Sequence, residues 1–170
     1  MNILVLNGSP RVQGDTAKMV ETFRSAAESA GHEVTVFPVC RMNIRGCLAC
    51  EYCHGKGQGV CAQKDDMQAI YEALRETDML VLASPIYYHN ISGQLKCVID
   101  RFYASLYPTA PKRLKKAAMF LASGDADMAD GARFSYEGDF LGYLGLEDMG
   151  LYTNHDEDVL TRIAQMGARL

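Results

Sequence analysis

Short apolar runs alternate with helical stretches along the whole chain, and this alternation constrains the fold more than any other feature. Asn2–Leu6 (NILVL) is a near-continuous apolar run, as expected of a strand buried on both faces. Asp15 or Thr16 is placed to cap a following helix, with Ala17, Met19, Val20, Phe23, Ala27 and Ala30 on its apolar face. Gly31 stops that helix. Glu33–Val39 alternates and is rich in β-branched residues, and Pro38 marks a strand end or an edge strand. Asp65 and Asp66 open a second helix with Met67, Ile70 and Leu74 inward. Met79–Ala83 reads as a third strand, Ser84–Asn90 as a loop, and Ser92 as the cap of a helix burying Leu95, Val98, Ile99 and Phe102. A fourth strand spans Ala117–Ala122, followed by a helix around Ala132–Leu144, a weak fifth strand Glu147–Thr153 and a last helix Asp156–Ala168. Strands alternating with helices predict an α/β fold with a parallel sheet covered on both faces. Five such units match a doubly wound five-stranded sheet of order 2-1-3-4-5; an eight-unit barrel wants ~250 residues.

Nothing in the 170 residues reads as a linker, repeat or low-complexity block, so one domain over 1–170 is expected. With 48% hydrophobic and 22% charged residues the chain is neither disordered nor a coiled coil. A net charge of −4 argues against a nucleic-acid partner held by bulk charge. No apolar run approaches the roughly 20 residues of a membrane span, and no leader segment is legible, so a cytoplasmic location is expected. A reducing compartment disfavours structural disulfides, which leaves six cysteines to be read another way.

In a sheet of this order, ligands sit outside the carboxyl ends of the strands, between the first and third. Three loops lie there. The first, NGSPRVQGDT, leaves a buried strand and enters a helix N-terminus, where free N–H groups and the positive dipole end meet. Ser9 and Thr16 add hydroxyls and Arg11 a cation, a set suited to a phosphate monoester. It is not a Walker loop, because Asp15 stands where the lysine would be, and it lacks the G-x-G-x-x-G fingerprint. The second loop, SPIYYHNISGQLK, sets two tyrosines beside a proline and offers a flat surface to a planar ring. The third, ASGDAD, gains weight only from its position.

Together, NGSPR with its following GDT, and PIYYHNISGQLKCVIDR, resemble the NADPH-dependent FMN reductase family of the flavodoxin-like fold, up to about residue 125. The resemblance implies FMN, with its phosphate at Ser9, Arg11, Asp15 and Thr16 and its ring at Pro85, Ile86, Tyr87, Tyr88 and Asn90. Ser123 and Gly124 would close over the ring edge. It also implies NADH or NADPH as donor, a quinone, flavin, azo or nitro compound as acceptor, and a homodimer or homotetramer with flavin near the subunit boundary. Flavin carries the hydride itself, so no catalytic acid or base is assigned.

Cys47, Cys50 and Cys53 form C-x2-C-x2-C, and Cys61 follows within a long Cys- and Gly-rich loop at about 40–64. That spacing opens ferredoxin-type cluster sites. It is similar to the motif of the iron–sulfur flavoproteins, where a [4Fe–4S] cluster exchanges electrons with FMN; this implies an electron carrier with a protein partner such as ferredoxin. Free thiols in a closing loop, and a four-cysteine zinc site, are the other two readings. Cys97 is expected to be a small buried residue, and Asp100 and Arg101 surface or interface charges.

Overall fold

The computed structural model describes residues 1–170. Strands β1 (Asn2–Asn7), β2 (Glu33–Phe37), β3 (Met79–Tyr87), β5 (Lys116–Ala122) and β6 (Glu147–Thr153) form one parallel sheet in the order β2-β1-β3-β5-β6. Counted along the chain these five are in the expected order 2-1-3-4-5. A sixth, two-residue strand, β4 (Asn90–Ile91), pairs antiparallel with the end of β3. Sequence reading missed it because Ser84–Tyr87, expected as loop, continues β3 and folds back as a hairpin.

Successive residues of the central strands point to opposite faces, which builds two separate cores. Leu4, Leu6, Leu80, Leu82, Met119 and Leu121 pack with helices α2 (Met67–Arg75) and α3 (Gly93–Arg101). Ile3, Val5, Met79, Val81, Ala118 and Phe120 pack with α1 (Asp15–Ser29) and α5 (Val159–Ala168). Gly167 lets α5 lie close on α1: a Cβ there would stand 3.1 Å from the Phe23 carbonyl oxygen. Strand β2 is indeed an edge, and Pro38 follows it immediately.

Several local expectations are corrected. Gly14, not Asp15 or Thr16, is the N-cap of α1, and no side chain caps it. Asp66 holds the N-cap position of α2, also without a side-chain bond, while Asp65 accepts from the Met67 N–H. The expected 132–144 helix is a short α4 (Asp130–Ser135) running into a π-helical segment, Tyr136–Tyr143. There the Leu144 N–H reaches back to Asp139, and the wider turn seats Tyr136 and Phe140 in the core. Helix α5 begins at Val159 rather than near 156. No helix is long and apolar enough to cross a membrane.

Candidate functional site

The parallel strands of the sheet bring their carboxyl ends to one edge, and the loops leaving β1, β3 and β5 meet there. They enclose a cavity of about 310 Å³ lined by Ser9, Arg11, Gly14, Asp15, Thr16, Pro85, Ile86, Tyr87, Ala122, Ser123 and Gly124. Nine of the eleven residues expected at a cofactor are in that lining. Tyr88 and Asn90 are not: they sit at the hairpin beyond Tyr87, where Tyr88 is fully exposed and Asn90 accepts from the Ile91 N–H.

The first loop is held by its own polar groups. Asn7 Oδ1 accepts from the Ser9 N–H at 2.9 Å, and Ser9 Oγ from the Arg11 N–H at 3.2 Å. The Cys40 thiol donates to the Ser9 carbonyl at 2.9 Å from behind. The N–H groups of Val12, Gln13, Asp15, Thr16 and Ala17 have no partner in the chain, because the first intrahelical bond runs from Lys18 to Gly14. Leaving α1 without a side-chain cap therefore keeps its N-terminal donors free beside the cavity.

Two buried serines stitch the first loop to the second, a link that sequence reading found only as a helix cap. Ser92 Oγ accepts from the Leu95 N–H, as the expected cap, and also donates to the Gly8 carbonyl at 3.0 Å. The Ser92 N–H donates to Ser84 Oγ at 2.8 Å. Gly8 must be glycine for this contact, since a Cβ would stand 2.6 Å from Ser92 Oγ. The Tyr87–Asn90 hairpin turns through two left-handed residues, Tyr88 (φ 51°) and His89 (φ 62°). Such a two-residue turn matches the strand twist but costs strain without glycine. The third loop is strapped to the end of β6: the Ser123 N–H donates to Asn154 Oδ1 at 2.9 Å, and Asn154 Nδ2 donates to the Ser123 carbonyl at 3.0 Å. Nothing in the sequence around Asn154 signals that role.

The cysteine loop is closed at a neck. The Asn43 N–H donates to Asp66, the Asp66 N–H to the Asn43 carbonyl, the Arg45 N–H to Asp65 and Gln63 Nε2 to the Gly46 carbonyl. Below it, Arg101 donates to both oxygens of Asp65, at 2.9 and 3.1 Å, and to the Arg45 carbonyl at 3.0 Å. Both side chains are 1% exposed, so the expectation of a surface charge fails for Arg101. Asp100, on the outer side of α3, does pair with Lys96 at the surface. Burial pushes the Asp65 carboxyl up, but Arg101 and the Arg45 N–H outweigh it and hold it below the ordinary carboxylate range.

All six thiols are free; Cys47 and Cys50 are exposed, while Cys53, Cys61 and Cys97 are half-buried. Burial pushes the Cys53 thiol up, and its neighbours Cys61 and Cys47 add to this. As the loop stands, no three metal-ligating side chains are gathered into one group. The four clustered thiols nonetheless match a thiolate-held cluster in ligand type and number.

Fold and site together define a flavodoxin-like α/β protein with an anion-receptive loop at its strand ends. The family model of NADPH-dependent FMN reductase matches residues 1–147, and the chain belongs to that family. Among curated relatives it is 39% identical over 125 residues to an iron–sulfur flavoprotein of Methanocaldococcus jannaschii, covering 73% of this chain and 62% of that one. It is 33% identical over 101 residues to an iron–sulfur flavoprotein of Methanosarcina thermophila, covering 59% of this chain and 52% of that one. The chain thus spans less than two thirds of the length of these relatives. Among solved structures, an NAD(P)H:quinone oxidoreductase from Methanothermobacter marburgensis superposes with a TM-score of 0.74 at 21% identity, covering 99% of this chain and 96% of that one. An FMN-dependent NADH-azoreductase from Bacillus anthracis, in complex with FMN, gives 0.74 at 13% identity with 99% of each chain covered. At such identities these two speak to the fold.

Proposed function

We propose that this chain, as one domain over 1–170, binds FMN in the three-loop cavity and acts as an NAD(P)H oxidoreductase toward a quinone, flavin, azo or nitro acceptor. The observation that carries this reading is the cavity itself: the loops of β1, β3 and β5 line it, and α1 offers it free N–H donors. The chemistry supplied by bound FMN is acceptance of a hydride and delivery of two electrons. The chain's own part is to hold and orient. Ser9, Thr16 and the free N–H groups receive the phosphate, Arg11 supplies positive charge at the exposed rim, and Pro85, Ile86 and Tyr87 form the wall for the ring, with Ser123 and Gly124 opposite. A homodimer is part of the same reading, and light scattering of the flavin-loaded protein tests it.

The test is the visible spectrum of the purified protein, then NAD(P)H consumption with menadione. A two-band flavin spectrum and turnover are expected; a colourless protein that refuses added FMN overturns the reading. Thr16 is 2% exposed and its hydroxyl makes no hydrogen bond within the chain. Thr16→Val is therefore expected to weaken FMN binding by about 1–2 kcal/mol, roughly tenfold in Kd. Unchanged affinity in a flavin-fluorescence titration would remove Thr16 from the phosphate site.

The necked loop favours a second reading: an iron–sulfur flavoprotein that carries electrons, with Cys47, Cys50, Cys53 and Cys61 holding a [4Fe–4S] cluster and a ferredoxin-like protein as partner. The two curated relatives compared above bear the name iron–sulfur flavoprotein. Iron and acid-labile sulfide in protein purified without oxygen decide it, and flavin without iron overturns it.

A further inference from the structure

A second cavity, of about 250 Å³, opens between α3, the segment that follows it and the π-helical stretch, and shares no residue with the three-loop cavity. The two are neighbours: Ile86 lines the first, and Ile91, its cross-strand partner, lines the second. Phe102, Leu106 and Phe140, each at most 5% exposed, supply its buried apolar part. Tyr103, Tyr107 and Tyr143 line it as well. The volume is near the lower end of the ~300–1,000 Å³ typical of small-ligand sites.

The tyrosines are not packed away. Tyr107 and Tyr143 are 46% and 58% exposed, and their rings are nearly parallel, with 9° between their planes and 6.3 Å between their centroids. Carbon atoms in contact lie ~3.5–4.0 Å apart, so rings at this separation are displaced or parted and leave much of their faces open. Tyr103 stacks on Tyr107 at 5.0 Å, and its hydroxyl donates to Glu51 at 3.1 Å. His54 of the cysteine loop packs against Tyr103 and Tyr107 without lining the cavity. An open aromatic face attracts a cation through the ring quadrupole.

The charges in the lining favour the same kind of ligand. They are Lys96, Asp100 and Asp139. Lys96 pairs with Asp100. Asp139 has no salt bridge, because Arg133, the nearest basic residue in sequence, is taken by Glu137. An uncompensated carboxylate therefore stands in one lining with the tyrosines and the apolar side chains. The π-helical turn brings these groups together: Asp139, Phe140, Tyr143 and Leu144 all line the cavity, and the Leu144 N–H closes back on the Asp139 carbonyl. Such turns are rare and occur frequently at functional sites. We propose that this cavity binds an organic cation with an apolar body, a substituted or quaternary ammonium. Asp139 and the tyrosine faces hold the charged head, and Phe102, Leu106 and Phe140 receive the body.

The experiment titrates benzyltrimethylammonium into the isotope-labelled full chain, with and without FMN, and follows it by nuclear magnetic resonance. Saturable shifts are expected at the lining residues within 96–107 and 135–144, whether or not FMN is bound. Benzyl alcohol, which has the same ring and no charge, is expected to bind about tenfold more weakly, and the anion phenylacetate not to saturate. Asp139→Asn and Tyr143→Leu both fall at exposed positions, where folding is not at stake. Each is expected to weaken binding of the cation about fivefold, and Asp139→Asn to leave benzyl alcohol unchanged. No saturable shift in wild type, equal affinity for benzyl alcohol, or wild-type affinity in both variants overturns the site. Shifts at the same residues that grow with protein concentration, and that the cation does not displace, would give the cavity to a second copy of the chain and overturn it too.

Discussion

Asp65→Asn is expected to lose about 3–5 kcal/mol of folding stability, because it leaves the Arg101 guanidinium buried without its counter-charge. For a chain of this size that is a fall of roughly 10 °C in melting temperature. The pH dependence carries a sign that checks the cause. The folded Asp65 carboxyl titrates below its ordinary value of 3.8, so its contribution is complete above that value and is lost as pH falls through the folded one. The gap between wild type and Asp65→Asn in urea melts should therefore be widest near neutral pH and narrow below pH 3.8. Asp78 is held low in the same sense, by Arg113 first and by the Asn2 N–H. Some acid sensitivity thus persists in the variant. A variant as stable as wild type at neutral pH would mean that the ion pair does not hold the neck.

Ser92→Ala should cost about 2–3 kcal/mol, combining the loss of a helix cap with that of a buried hydrogen bond. Its hydroxyl serves Gly8 and Leu95 where no water reaches, since Ser92 is completely buried. Alanine leaves a carbonyl of the first loop and an N–H of α3 unpaired. Because that carbonyl belongs to Gly8, FMN affinity should fall along with stability. Urea denaturation of the flavin-free protein separates the two effects. Wild-type stability in that form would show that another group takes over the Gly8 carbonyl.

The central sheet was legible because apolar runs at strand length need no partner information, and parallel strands necessarily share one carboxyl edge. That edge singled out the three loops, and the resemblance to the FMN reductase family supplied the residues within them, nine of which line the cavity. What failed to show were groups whose role is set by distant partners. Asp100 and Arg101 are neighbours in sequence and look like a surface pair, yet Arg101 is drawn inward by a carboxylate 36 positions away. Asp15 and Thr16 fit the composition of a helix cap, but Gly14 occupies the cap position and their N–H groups remain free for the cavity. The spacing of Cys47, Cys50 and Cys53 was plain, whereas the neck beneath them joins the side chains of Asp65, Asp66, Gln63 and Arg101 to distant backbone groups that carry no sequence signature. The π-helical stretch was likewise hidden, because Tyr136 and Phe140 serve an α-helical apolar stripe equally well.

The strap between Ser123 and Asn154 has a consequence for where the working unit ends. The family match stops at residue 147, and every residue lining the cavity lies before it. A chain cut there would retain the full set of lining side chains and still lack the amide that sets one wall in place, along with most of β6. The minimal piece able to hold a ligand firmly is thus longer than the piece that bears the family's likeness, and the closing strand belongs to the site as much as the loops do.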